Sequence, residues 1–169
     1  NGQLGKQSNL DSYGESIIES INGGNWTAIS SGKIHSCAIE LDSEIYCWGG
    51  GSLGQIGDGE NTDKFSPSKV ILGGFGEIQQ IDSGGYHTCV LSDSSEIYCW
   101  GWNGHGQLGD GTYQNRNAPT KVLFSESYEF QSISIGEWHS CALAITGEVL
   151  CWGGNMDGQI DDSENAALL

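Results

Sequence analysis

Positive charge is scarce in this sequence: six Lys and Arg stand against 22 Asp and Glu, for a formal charge of −16. Nucleic acid is held through a cationic footprint on its phosphates, whereas Lys6, Lys33, Lys64, Lys69, Arg116 and Lys121 are scattered along the chain. Nucleic acid is therefore not an expected partner, and neither is an anionic membrane surface. Proline is rarer still, at two residues, and no apolar run reaches the length of a membrane span, so membrane insertion is not expected. No initiator Met, charged-then-apolar leader or lipidation motif stands at either end, which suggests a processed product or a fragment. Neither a Ser nucleophile elbow nor a paired-carboxylate setting nor a zinc-type His pair is visible, so the chain reads as not an enzyme.

Glycine is plentiful at 27 residues, which with so little proline suits tight turns between short strands. One pattern returns every 52 residues without insertion or deletion: Gly2-Gln3-Leu4-Gly5, Gly54-Gln55-Ile56-Gly57, Gly106-Gln107-Leu108-Gly109 and Gly158-Gln159-Ile160-Asp161. His35, His87 and His139 keep the same step, and so do the cysteines and the Trp-Gly pairs that follow them. A fixed period of this length means one supersecondary unit used repeatedly. The array divides into residues 2–53, 54–105 and 106–157, with 158–169 starting a fourth unit. Within a unit, segments such as 119–123, 130–135, 139–143 and 148–152 read as four short strands with turns between them. The expected fold class is all-β: three four-stranded antiparallel β-propeller blades of 52 residues, forming an incomplete or open propeller.

Six cysteines form three equal pairs, Cys37 and Cys47, Cys89 and Cys99, and Cys141 and Cys151. A turn at the midpoint Asp42 would place Cys37 opposite Cys47 on one face, within the reach of a disulfide. A zinc site is the competing reading, but this spacing is unlike a close ligand pair. Disulfides persist in oxidising compartments, so the expected location is extracellular or at the cell surface.

The segment 35–49, followed by Leu53-Gly54-Gln55-Ile56-Gly57-Asp58-Gly59, resembles the regulator of chromosome condensation repeat family. So do its successors, with Pro67 and Pro119 ahead of Lys69-Val70 and Lys121-Val122. The cysteine-bearing form is similar to members in secreted microbial proteins. The resemblance implies a β-propeller, and three units fall short of the roughly four to eight blades that close one. Either further blades of a longer chain or other copies, joined head to tail, are the expected partners. The resemblance also implies a buried structural role for His35, His87 and His139.

Trp48, Trp100 and Trp152 are expected to pack between blades. Residues that break the repeat are the candidates for binding: Trp102 replaces Gly50 and Gly154, Tyr113 replaces Asn61, and Trp138 replaces Ile34 and Tyr86. His105 lies outside the repeated set and reads as an exposed loop residue. Asn25-Trp26-Thr27 is a candidate glycosylation sequon. No cofactor is expected; the acidic loops 58–63, 110–112 and 161–164 offer oxygen ligands for Ca²⁺ but lack a calcium-loop spacing. The resulting expectation is an extracellular, non-catalytic structural or binding propeller that forms surface structures or filaments by self-association. A secreted ligand binder, either a protein inhibitor or lectin-like, is the alternative. Nucleotide exchange on a small GTPase, the activity of the family's founding member, ranks below both.

Overall fold

The computed structural model describes residues 2–5, 17–19, 23, 25–41, 43–74 and 76–160. Eleven strands and no helix occur among them. The first sheet holds β1 (Trp26–Ser31), β2 (His35–Glu40), β3 (Ile45–Gly49) and β4 (Lys64–Lys69). The second holds β5 (Ile78–Ser83), β6 (His87–Ser92), β7 (Ile97–Gly101) and β8 (Arg116–Lys121). In the third are β9 (Phe130–Ile135), β10 (His139–Ala144) and β11 (Val149–Gly153). Every pairing is antiparallel and joins chain neighbours, so each sheet is a meander.

Two features of the expected blades change. The third sheet has three strands among the described residues, not four, because the position one period after Arg116 is residue 168, outside the described residues. The sheets are also offset from the sequence unit: β4 lies within residues 54–105 yet completes the sheet of β1–β3.

The β2–β3 hairpin shows how the sequence makes a sheet. Ile45, Tyr46, Cys47 and Trp48 are β-branched, aromatic or buried apolar residues suited to a strand covered on both faces, and all four are buried. Ser43 turns the chain at φ 60, with its N–H donating to the Glu40 carbonyl. Ser95 repeats this φ, and Gly147 takes the position in the third hairpin. The register sets Cys37 directly opposite Cys47, Cys89 opposite Cys99 and Cys141 opposite Cys151. All six are joined in three disulfides with Cα–Cα distances of 4.1 Å.

The core lies between sheets rather than within one. Ile39, Ile45 and Cys47 of the first sheet pack with Ile81, Val90 and Trp100 of the second. Leu91, Ile97 and Cys99 of the second pack with Ile133, Ala142 and Trp152 of the third. Strands β1, β5 and β9 neighbour one another, on the inner side of the fan. There, backbones approach so closely that a Cβ on Gly84 would stand 2.2 Å from the Gly136 carbonyl oxygen, so glycine is required.

Polar groups tie the same interfaces. His35 Nε2 lies 2.7 Å from Thr88 Oγ1, and His87 Nε2 lies 2.9 Å from Ser140 Oγ, one sheet further on. Indole N–H groups of Trp48, Trp100 and Trp152 donate to the carbonyls of Gln3, Gln55 and Gln107 at 2.8, 2.9 and 2.9 Å. The Gly-Gln turns in the β3–β4 and β7–β8 connections thus cap the tryptophan of the next sheet, and Gly57, at φ +76, leaves room for the Trp100 ring.

Burial pushes His35 down to about 4 and His87, with help from neighbouring histidines, down to about 3. Because the folded pKa values lie below the ordinary 6.5, the unfolded chain takes up protons first as pH falls. Urea titrations should therefore show stability falling from about pH 6.5 towards pH 4, by roughly 1.4 kcal/mol per pH unit for each histidine. A flat profile across that window would mean that these rings are charged in the folded protein. Ser95→Gly should raise stability by about 1 kcal/mol, since the left-handed backbone costs a non-glycine residue that much; the side-chain bond given up is the long 3.4 Å one from Ser95 Oγ to the Phe130 carbonyl.

Candidate functional site

Three equivalent turns, β1–β2, β5–β6 and β9–β10, meet at one end of the fan. At matching repeat positions they carry Lys33-Ile34, Gly85-Tyr86 and Glu137-Trp138. The polypeptide after β7 adds Trp102 and His105 to the same place. Trp138 stacks on Tyr86 with centroids 5.4 Å apart and planes at 28°, and meets Trp102 edge-on at 5.1 Å. Tyr86 and Trp102 are 6.4 Å apart. His105 sets its ring edge-on to Trp102 at 5.1 Å and to Trp138 at 6.0 Å.

All four rings are half-buried, so each keeps part of its surface in water. Edge-to-face and offset stacking hold such rings with about 0.5–1.5 kcal/mol per pair beyond area burial. Lys33 completes the group from the far side. Its Nζ lies 5.4 Å from the Tyr86 centroid, 5.9 Å from that of Trp138, and 2.8 Å from Glu137 Oε1. The hydrogen bond to Glu137, then its charge, holds the Lys33 ammonium above its ordinary range. Between these two stands Gly85, where a Cβ would come within 2.8 Å of Glu137 Cγ and block the pairing. Alongside lies a shallow depression of about 440 Å³ lined by Gly32, Gly84 and Gly136 with Lys33 and Glu137.

The structure brings together Trp102 and Trp138, two of the three aromatics that break the repeat, and leaves the third apart. Tyr113 is 58% exposed in the loop before β8 and belongs to no ring cluster among the described residues. His105, expected to be simply exposed, is half-buried because its loop folds back over Trp102; a Cβ on Gly104 would stand 2.3 Å from that ring. Tyr86, Lys33 and Glu137 were not singled out by sequence. The signal was present: one repeat position reads Lys, Gly, Glu at 33, 85 and 137.

The remaining candidates lie elsewhere. Trp100 and Trp152 are at most 2% exposed, and Trp48 is 3% exposed. The His139 ring has no hydrogen-bond partner among the described residues, and burial lowers its pKa. Asn25 is exposed just before β1, and Thr27 Oγ1 donates to the Ile39 carbonyl at 3.2 Å. In the acidic loops, Asp58 pairs with Lys64 at 2.9 Å and Asp110 with Arg116 at 2.6 Å, so internal cations hold these carboxylates. The loop 161–164 lies outside the described residues. No group of three or more His, Cys, Asp or Glu suited to a metal occurs among the described residues.

The regulator of chromosome condensation (RCC1) repeat matches residues 42–91 and 94–143, and a second form of the same repeat matches 26–55, 78–107 and 130–159. Ultraviolet-B receptor UVR8 of Arabidopsis thaliana is 32% identical over 165 residues, covering 98% of this chain and 38% of the receptor. Probable E3 ubiquitin-protein ligase HERC6 of Homo sapiens is 37% identical over 134 residues, covering 78% of this chain and 13% of the ligase. Thus the chain spans well under half the length of these relatives. Among solved structures, yeast RCC1 (Prp20) bound to Kap60 superposes with a TM-score of 0.69 at 24% identity, over 77% of this chain and 32% of that one. Human WBSCR16 gives 0.71 at 23% identity, over 78% and 34%. At these identities the structural likeness establishes the fold alone.

Trp102→Ala and Trp138→Ala, singly and together, should give a coupling energy of about 1 kcal/mol in urea unfolding. Additive losses would show that the two rings do not support each other.

Proposed function

The chain belongs to the regulator of chromosome condensation repeat family, and on that premise we propose that it is a non-catalytic binding propeller of the extracellular space or cell surface. Its recognition surface is the loop face bearing Tyr86, Trp102, Trp138 and His105. The observation that carries this reading is the convergence of aromatic side chains from two sheets on one half-buried patch. Half-exposed Trp and Tyr on a rigid scaffold give large contact area at small entropic cost and are enriched where proteins bind partners. Three disulfides favour an oxidising compartment.

The decisive experiment is capture of binding partners from extracellular fluid or cell-surface extract with wild-type protein, Trp138→Ala and Tyr113→Ala. The reading requires Trp138→Ala to lose at least tenfold in affinity for the captured partner while keeping its unfolding midpoint, with Tyr113→Ala unaffected. Equal binding by all three would move recognition off this face. Alkylation of the native protein without reductant should modify no cysteine, and a substantial thiol content would contradict the extracellular placement.

A second reading rests on a separate observation. Cys89, Cys99 and Ile97 are at most 1% exposed beneath the third sheet, while the equivalent Cys141 and Cys151 are half-exposed and Val149 is 67% exposed. At the other end, Ile18, Trp26 and Trp48 line an apolar hollow of about 330 Å³ on the first sheet. A further blade would cover the uncovered face, supplied by a longer chain or by another copy joined head to tail. Native mass and negative-stain images of the natural protein separate the two. Rings or filaments of the 18.0 kDa unit would establish assembly, and single particles on a longer polypeptide would exclude it.

A further inference from the structure

Resting on the loop face as the recognition surface, we propose that the corner formed by Tyr86, Trp138 and Glu137 is a cation-recognition site. Its ligand is an arginine or lysine side chain of a partner protein, and this chain's own Lys33 holds the place in the free molecule. Three observations carry the assignment. The rings of Tyr86 and Trp138 stack nearly parallel, and a cation already sits within about 6 Å of both centroids, the range in which a ring quadrupole attracts it. Glu137 supplies the opposite charge at 2.8 Å. Lys33 and Glu137 side chains are 53% and 47% exposed, so the pair is open to solvent and exchangeable.

Lys33 differs from the other described cations in its setting, not in its exposure. Lys64, Lys69, Arg116 and Lys121 pair with carboxylates along the strand margins, whereas Lys33 reaches across from one sheet to a carboxylate two units away, over two stacked rings. The site also arises where the repeat is broken. One turn position changes from Lys33 through Gly85 to Glu137, and the next changes from Ile34 through Tyr86 to Trp138. Packing between sheets does not need a lysine and a glutamate facing each other across a glycine, as both lie at the exposed end of the turns. The formal charge of −16 favours approach of a basic partner and disfavours an acidic one.

The probes are three: a short arginine–glycine peptide, a glutamate–glycine peptide of the same length, and a neutral chitin oligosaccharide. Each is titrated into the intact protein at low salt while tryptophan fluorescence is read. The arginine peptide should give a saturable change, about tenfold weaker in Glu137→Gln and in Trp138→Ala. Removal of the resident cation in Lys33→Ala should tighten it several-fold. Glu137→Gln alters an exposed side chain and so keeps the test valid if Trp138→Ala disturbs folding. Arginine-peptide binding unchanged in both Glu137→Gln and Trp138→Ala would reduce the effect to general charge attraction and overturn the proposal, as would weaker binding in Lys33→Ala. If the oligosaccharide or the acidic peptide binds instead, the loop face stands as the recognition surface and the cation assignment falls. If no probe binds, the cation site is overturned, and the loop-face reading is decided by the capture experiment.

Discussion

Both faces of a sheet in this protein are apolar, so no sheet can be satisfied alone. In the second sheet every residue of β6 and β7 is buried, because the first sheet covers one face and the third covers the other. A single antiparallel meander normally leaves one face in water, and its sequence then alternates apolar and polar residues. Here the alternation is between two kinds of contact: His87, Cys89 and Leu91 face forward to the third sheet, while Thr88 and Val90 face back to the first. Polar groups are paired across each interface, histidine Nε2 to hydroxyl and indole N–H to carbonyl. Their partners lie 53 and 45 residues away, and hence one blade apart. This requirement for a neighbour fixes the order of the sheets and explains why the same residues return in the same phase.

Disulfides and glycines serve that constraint. A hairpin clamped at Cys89 and Cys99 presents a fixed surface for the next sheet, which reduces the conformations open to the unfolded chain. Glycine at the inner ends lets backbones meet where the fan is narrowest, as at Gly84 against Gly136. With the sheets held this way, the turns at their ends are free to vary without loss of packing. Function is then most economically placed in those turns, because a rigid frame fixes where their side chains project.

Much of this was legible in the sequence, for a physical reason: a repeat that needs a neighbour must conserve its contacts in phase within one chain. Cys37 and Cys47 lie opposite each other in a hairpin, and the strand segments carry alternating or continuous apolar residues. What stayed hidden depends on relations between units. The offset of sheet from repeat was invisible because a period has no intrinsic starting point, so β4 could be assigned to either side. The gathering of Trp102, Trp138, Tyr86 and His105 was hidden for a related reason. Trp102 and Trp138 are 36 residues apart in sequence, a separation that matches no turn, hairpin or period. They meet only because the β7–β8 connection of one sheet lies beside the β9–β10 turn of the next.

Deviation from a repeat therefore has a spatial meaning that deviation in a non-repeating chain lacks. Two residues at the same phase in adjacent units occupy equivalent corners of adjacent sheets, and near the axis those corners nearly touch. Lys33 and Glu137 are two units apart and still reach each other, because the intervening unit offers Gly85. Had all three positions carried the same charged residue, like charges would have crowded one corner and repelled. Lys, Gly and Glu in that order instead convert three equivalent turns into a single polar clamp beneath two stacked rings. A fold built by copying one unit acquires a distinctive surface only where the copies cease to agree, and here they disagree at neighbouring residues on one face.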